Sequence, residues 1–412
     1  VSGSLRADFG ILRRRRFATL FAARTISVLG DAFAPVAIAF GVLALPGADA
    51  VTLGSVLAGY SVARVGLMLF GGVIADRLPR FRVLVVADLV AGAGYAGIAV
   101  LLLSGSSFLP ALVGFSALAG AAAALFLPAF SGVVPEVVRP DERQAANGLL
   151  RLSTNIARIS GFALAGAMVA LIGGGWALLV NAASFAVSAA LMASLRLPAT
   201  VRATGANVLA DLRTGWREFA SRQWLWVIVG TVAFTNAAMN VTYGLLGPIV
   251  ARDGLGGSVA WSAVLAANAL GLMLGVFVAL RIRPRHPMFV CALTLFPLAP
   301  TPLLLGLGAP LPYVVLATFL SGIAVDVFGV LWETTFQREV PGEALSRVSS
   351  YEWVGSLALG PVALLVAAPL AERYGARPVL VGAAALVVVV STAALTSVQV
   401  RELRAPPEVA TA

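Results

Sequence analysis

Of 412 residues, 59% are hydrophobic and only 12% are charged, and the mean hydropathy of +0.94 excludes a soluble globular chain, whose core could not enclose so much apolar surface. The 29 basic residues, every one an arginine, outnumber 19 acidic ones for a formal charge of +10. They stand between apolar runs, so they point to membrane topology and anionic headgroups and away from nucleic acid as a partner.

One cysteine, Cys291, and one histidine, His286, leave no material for a disulfide framework or a Cys/His metal cluster. No metal or other cofactor is expected. The basic patch Arg13 to Arg16 precedes a long apolar segment with no small-residue cleavage site, so that segment is read as a retained membrane helix.

A helix needs about 20 mostly apolar residues to cross a bilayer. Taken along the chain, such segments fall at 17-45, 51-75, 82-103, 109-134, 143-171, 175-195, 223-250, 257-280, 287-307, 311-336, 346-370 and 376-398. The fold class is therefore all-α integral membrane with twelve transmembrane helices. Placing the loops alternately puts 22 arginines on one side and three (Arg252, Arg373 and Arg377) on the other, with four inside segments. By the positive-inside rule both termini are cytoplasmic. The arginine-only basic set suits a GC-rich bacterial coding bias, and the expected location is the bacterial cytoplasmic (inner) membrane.

One connection is long. It makes 196-222 a cytoplasmic linker, in which Trp216, Arg217, Phe219 and Trp224 suggest an amphipathic interfacial helix. It separates an N-terminal six-helix half, 1-195, from a C-terminal half, 223-398, which a cytoplasmic tail, 399-412, follows. The halves echo one another at an offset of 201 residues, pairing Pro140 with Pro341 and Glu142 with Glu343. Repeated halves around a central cavity are the geometry of alternating access.

Ionisable residues inside a span are costly and are functional candidates by default. Asp31 lies about 14 residues into the first segment, roughly 21 Å from its start at 1.5 Å per residue, and is read as the one central carboxylate of the first half. Arg24 is seven residues earlier, two turns along the same face. Arg64 in segment 2, with Arg151 and Arg158 in segment 5, supply further cations. They either hold an anionic or carbonyl-rich substrate or balance Asp31 and Asp326. In segment 10, Asp326 and Glu333 repeat the seven-residue spacing; Glu333 with Arg338 reads as a gate or interfacial pair. Asp31 and Asp326 are the candidate proton carriers. Asn236, Asn240 and Tyr243 in segment 7 recur at four and three residues, the spacing of one helix face, read as lining the cavity or bonding a neighbouring helix.

The connection GGVIADRLPRFRV resembles the signature G-x-x-x-D-R-x-G-R-x-R of the major facilitator superfamily, with Gly72, Asp76, Arg77, Arg80 and Arg82 in place and Pro79 where the second glycine stands. The resemblance implies a cytoplasmic gate in which Asp76 meets the positive N-terminal end of helix 11. RTISVLGDAFAPVAIAF, LPAFSGVVPEVVRPDERQAANGL and GWREFASRQWLW are similar to the branch containing the enterobactin exporter and macrolide-efflux proteins. They imply an exporter, and with Asp31 and Asp326 as candidate proton carriers the expectation is a proton-coupled exporter of a drug, siderophore or secondary metabolite, a monomer with the bilayer, protons and a small-molecule substrate as partners. A lipid flippase or an importer would share the architecture. An enzyme is not expected, because the chain holds no H-E-x-x-H and no G-x-x-x-x-G-K-[ST].

Overall fold

The computed structural model describes residues 10–195 and 216–404, apart from the side chains of 69–77, 127–128, 131–132, 342–343 and 346–347. Among these residues twelve helices are long and apolar enough to cross a membrane: α1 Arg15–Leu43, α2 Ala50–Met68, α3 Arg80–Leu103, α4 Leu109–Phe126, α5 Pro140–Ile172, α6 Gly174–Ser194, α7 Gln223–Leu255, α8 Gly257–Ala279, α9 Pro287–Leu307, α10 Leu311–Glu339, α11 Val348–Tyr374 and α12 Ala376–Thr396. These are the twelve segments of the sequence, with ends moved by a few residues. The helices of α2 and α4 run on past their apolar spans to Arg77 and Val137. Glycine closes α5 and α11 at matching places: Gly173 (φ +88°) and Gly375 (φ +87°) take the left-handed region that stops one helix and starts the next.

Several spans are interrupted, and proline accounts for the breaks that matter here. In α1, helix Arg15–Asp31 gives way to helix Ala34–Leu43, and Pro35 has no N–H to offer the carbonyl of Asp31 four residues before it. In α11, helix Gly342–Leu357 restarts at Leu359, where Pro361 withholds its donor from Leu357. Two π-helical stretches, Val241–Leu246 and Ala251–Leu255, widen α7.

Backbone proximity divides the chain into two compact units, Val1–Gly205 with Ala251–Ala266, and Ala206–Val250 with Ala267–Ala412. In the first, α2 packs on α4, and α3 on α4 and α6, while α1 lies between α5 and α6. Lipid tails give helices no hydrophobic reason to associate, so close packing by small residues carries the contact. A Cβ on Gly161 of α5 would lie 2.7 Å from the Leu29 carbonyl of α1, and one on Gly174 of α6 would lie 2.5 Å from the Ala37 carbonyl. Towards the start of α1, buried Phe17, Leu20, Leu84, Val133, Leu149 and Met192 form an apolar cluster that gathers the ends of five helices. The second unit has a comparable cluster around Trp224, Leu225, Ile228, Trp332 and Phe336. There Phe219 is buried, and it and Trp216 pack on Tyr351. The rest of the expected interfacial helix, 196–215, lies outside the described residues.

Candidate functional site

The interruption of α1 places Asp31 at the end of its first helical piece, where the side chain is exposed to a cavity of about 340 Å³ enclosed by α1 to α6. Broken helices at cavities are how transporter folds present polar groups at membrane depth. The Tyr95 hydroxyl of α3 donates to Asp31 Oδ1 at 3.4 Å, and Tyr95 is itself held by stacking on Phe185 of α6, with ring centroids 5.7 Å apart. Three cations act on Asp31 electrostatically: Arg24 from the same helix, Arg158 from α5 and Arg64 from α2. All three line the cavity.

Arg24 differs from the other two in what it touches. Its guanidinium lies 5.0 Å from the ring centroids of both Phe126 and Phe130 on the α4 helix. Such cation–π contacts hold a desolvated guanidinium where water is scarce. Arg24 also lies within the field of Asp88 on α3, a residue the sequence reading passed over when it took Asp31 as the one central carboxylate of its half. Asp88 corrects that reading. It is fully buried, accepts the Ser188 hydroxyl on Oδ2 at 2.6 Å, and its Oδ1 has no hydrogen-bond partner among the described residues. The signal was present in the sequence, a carboxylate inside the apolar segment 82-103.

Arg158 and Arg151 do not share a role. Arg158 reaches the cavity, whereas Arg151 is exposed outside its lining, because two helical turns carry it about 10 Å along the axis.

The second unit separates residues that spacing had grouped. Asn236 donates from Nδ2 to the Ser356 carbonyl of α11 at 3.0 Å, and Asn240 donates to the Asn236 carbonyl, also at 3.0 Å. Tyr243 instead turns its hydroxyl towards Ser321 and Thr318 of α10 and Thr301 of α9. The π-helical stretch beginning at Val241 adds residues per turn and rotates Tyr243 off the face of the two asparagines. Asp326 is half-buried where α10 crosses α8, its Cβ 2.7 Å from where a Cβ on Gly275 would lie. The expected Glu333–Arg338 pair does not form: Gln337 donates to Glu333, and Arg338 bonds Glu339 at 2.8 Å. Glu352 of α11, another residue the sequence reading missed, stands beside Trp332 and Glu333.

Of the signature loop, Gly72, Asp76 and Arg77 have side chains outside the described residues. Arg80 lies 3.7 Å from Glu136, and Arg82 is exposed with its guanidinium 5.8 Å from the Phe81 ring. Pro79 caps the start of α3 with φ −56° and ψ 115°, so the residue that departs from the signature initiates a helix. At the corresponding loop before α5, Arg14 pairs with Glu142 at 2.7 Å.

Comparison with known proteins bears on this architecture. The family model for the Major Facilitator Superfamily matches residues 20–351. The Multidrug efflux pump Tap of Mycobacterium tuberculosis is 24% identical over 352 residues, which are 82% of this chain and 83% of that one. The Uncharacterized MFS-type transporter YvqJ of Bacillus subtilis is 25% identical over 269 residues, 63% of each chain. Among solved structures, the nucleoside transporter NupG superposes with a TM-score of 0.73 at 14% identity, covering 92% of this chain and 98% of that one. A bacterial homologue of the human lysosomal transporter Spinster gives 0.72 at 16% identity, covering 98% of this chain and 100% of that one. With a family model over most of its length and twelve apolar helices in the fold of these transporters, the chain belongs to the Major Facilitator Superfamily and is a multi-pass membrane transporter.

Proposed function

We propose that this transporter is a proton-coupled exporter of a small organic molecule, working by alternating access in the bacterial cytoplasmic membrane with both termini in the cytoplasm. One observation carries the coupling: Asp31 stands exposed in a cavity within an apolar bundle, at a break in α1, with three arginines acting on it. A carboxylate placed there is costly unless it works, and gaining or losing a proton changes the charge balance that the arginines feel. Asp326 is the runner-up carrier. The outward direction is supported by the likeness to the efflux pump Tap. Flippase and importer remain the alternatives of the same fold.

The test is movement of a radiolabelled substrate, found by screening in reconstituted vesicles, under an imposed pH gradient. Asp31→Asn cannot titrate, so it should abolish uphill movement while counterflow exchange persists. Full uphill transport by Asp31→Asn would remove the residue from the mechanism and move the proposal to Asp326.

A further inference from the structure

The charges in the first unit's cavity are held apart. Among the described residues neither Arg64 nor Arg158 makes an ion pair or a hydrogen bond, and Asp31 has one long bond from Tyr95 and no ion pair. Yet all three share one cavity, and both arginines lie within the field of Asp31. In a low-dielectric interior, opposite charges on flexible side chains gain by closing on each other. Here the carboxylate sits on α1, one guanidinium on α2 and the other on α5, and no pair closes. Arg24, by contrast, is engaged by Phe126 and Phe130.

We propose that this cavity binds a dipolar substrate, a compact amphipathic zwitterion whose anionic group is taken by Arg64 and Arg158 and whose cationic group is taken by Asp31. Groups already separated and facing one cavity are preorganised for a ligand carrying the complementary pair, which binds without first breaking an internal ion pair. A purely anionic ligand would leave Asp31 only the field of Arg24, whose guanidinium lies on Phe126 and Phe130, and a purely cationic one would leave Arg64 and Arg158 without a partner. Besides Arg24, Asp88, Ser27 and the tyrosines Tyr60 and Tyr95, the lining is apolar, with Phe126, Phe162 and alanines of α3 and α4, and the volume is at the lower end of the range for small-molecule sites. The inference rests on the transporter reading for its claim that this cavity is the transport site. It also gives the sign of coupling: a proton on Asp31 removes the partner of the substrate's cation, so proton and substrate compete, as exchange requires.

The test uses three probes of one shape: 4-(aminomethyl)benzoate, 4-methylbenzoate and 4-methylbenzylamine. Their binding to the detergent-purified full chain is measured by titration calorimetry. The zwitterion should bind at least about tenfold more tightly than either single ion, a difference of one decade in Kd. Arg64→Gln and Arg158→Gln should each weaken the zwitterion and the carboxylate by a similar factor and spare the amine, with Arg158→Lys retaining part of the affinity. Asp31→Asn should bring the zwitterion down to the carboxylate. Arg401→Gln, on the exposed tail, should change nothing, and size-exclusion profiles show that each variant is folded. Equal affinity for all three probes, preference for the amine alone, or no binding by any of them in the millimolar range would overturn the proposal. If the probe order holds but no pH gradient drives labelled 4-(aminomethyl)benzoate uphill, the dipolar site stands and the proton-coupled reading fails. If a gradient drives other compounds while the probes bind alike, the site fails and the exporter reading stands.

Discussion

Replacing Gly161 with alanine tests whether the approach of α5 to α1 sets the geometry around Asp31. The added Cβ would lie 2.7 Å from both the Leu29 carbonyl oxygen and the Ala32 Cβ. Carbon atoms rest at about 3.5–4.0 Å from one another, so the two helices must separate by roughly 1 Å. The backbone carbonyl cannot swing aside. Overpacking of this kind costs about 1–3 kcal/mol. For a unit of about 200 residues each kcal/mol moves the unfolding midpoint by roughly 2–4 °C. Gly161→Ala should therefore lower the midpoint in detergent, followed by fluorescence-detected size exclusion, by several degrees. Gly148→Ala is the control, because on the same helix a Cβ at Gly148 meets nothing within 4 Å; it should be neutral or slightly stabilising, as alanine favours helix over glycine. Asp31 is one residue from Ala32, and Arg158 is one turn from Gly161, so the same displacement widens the cavity between them. A misplacement of about 1 Å can cost up to about a hundredfold in a positioned site, and transport should fall more than stability. Equal midpoints for the two alanine variants, or normal transport by Gly161→Ala, would refute the reasoning.

Two further outcomes are expected. A double-mutant cycle between Asp88→Ala and Ser188→Ala, read by thermal unfolding, should give a coupling of about 0.5–3 kcal/mol, the range spanned by hydrogen bonds to a neutral and to a charged partner, since the Ser188 hydroxyl donates to Asp88 at 2.6 Å in a fully buried setting; coupling below about 0.5 kcal/mol would mean that the bond does not hold Asp88. Cysteines introduced in the 196–222 linker should react with a membrane-impermeant reagent only from the cytoplasmic side, and those at 307–311 only from outside, as the arginine asymmetry requires. The single native cysteine, Cys291, is buried and should give a quiet background. Labelling of both regions from one face would overturn the proposed orientation.

The sequence by itself determined the twelve spans, because hydropathy over about 20 residues is a local property that a bilayer reads directly. It also placed Asp31, Arg24, Arg64 and Arg158 among the candidates, since a charge inside an apolar run is visible without knowing its neighbours. What it left open was which of these charges meet. Arg24 and Asp31 share a face by spacing alone, but the Phe126 and Phe130 rings over Arg24 come from a helix about 100 residues away in sequence. Helical periodicity grouped Asn236, Asn240 and Tyr243 and failed at Val241, where a π-helical stretch changes the residues per turn. The sequence also read Glu333 with Arg338 as a pair, whereas the nearer donor Gln337 takes the carboxylate and Glu339 takes the arginine. Asp88 became a member of the site only when α3 and α6 brought it to Ser188 and into the field of Arg24. Composition along a chain fixes what lies in the membrane. Which polar groups share a cavity depends on helix rotation and register, and these are set by close contacts such as that of Gly161 with Leu29, which only the packed structure contains.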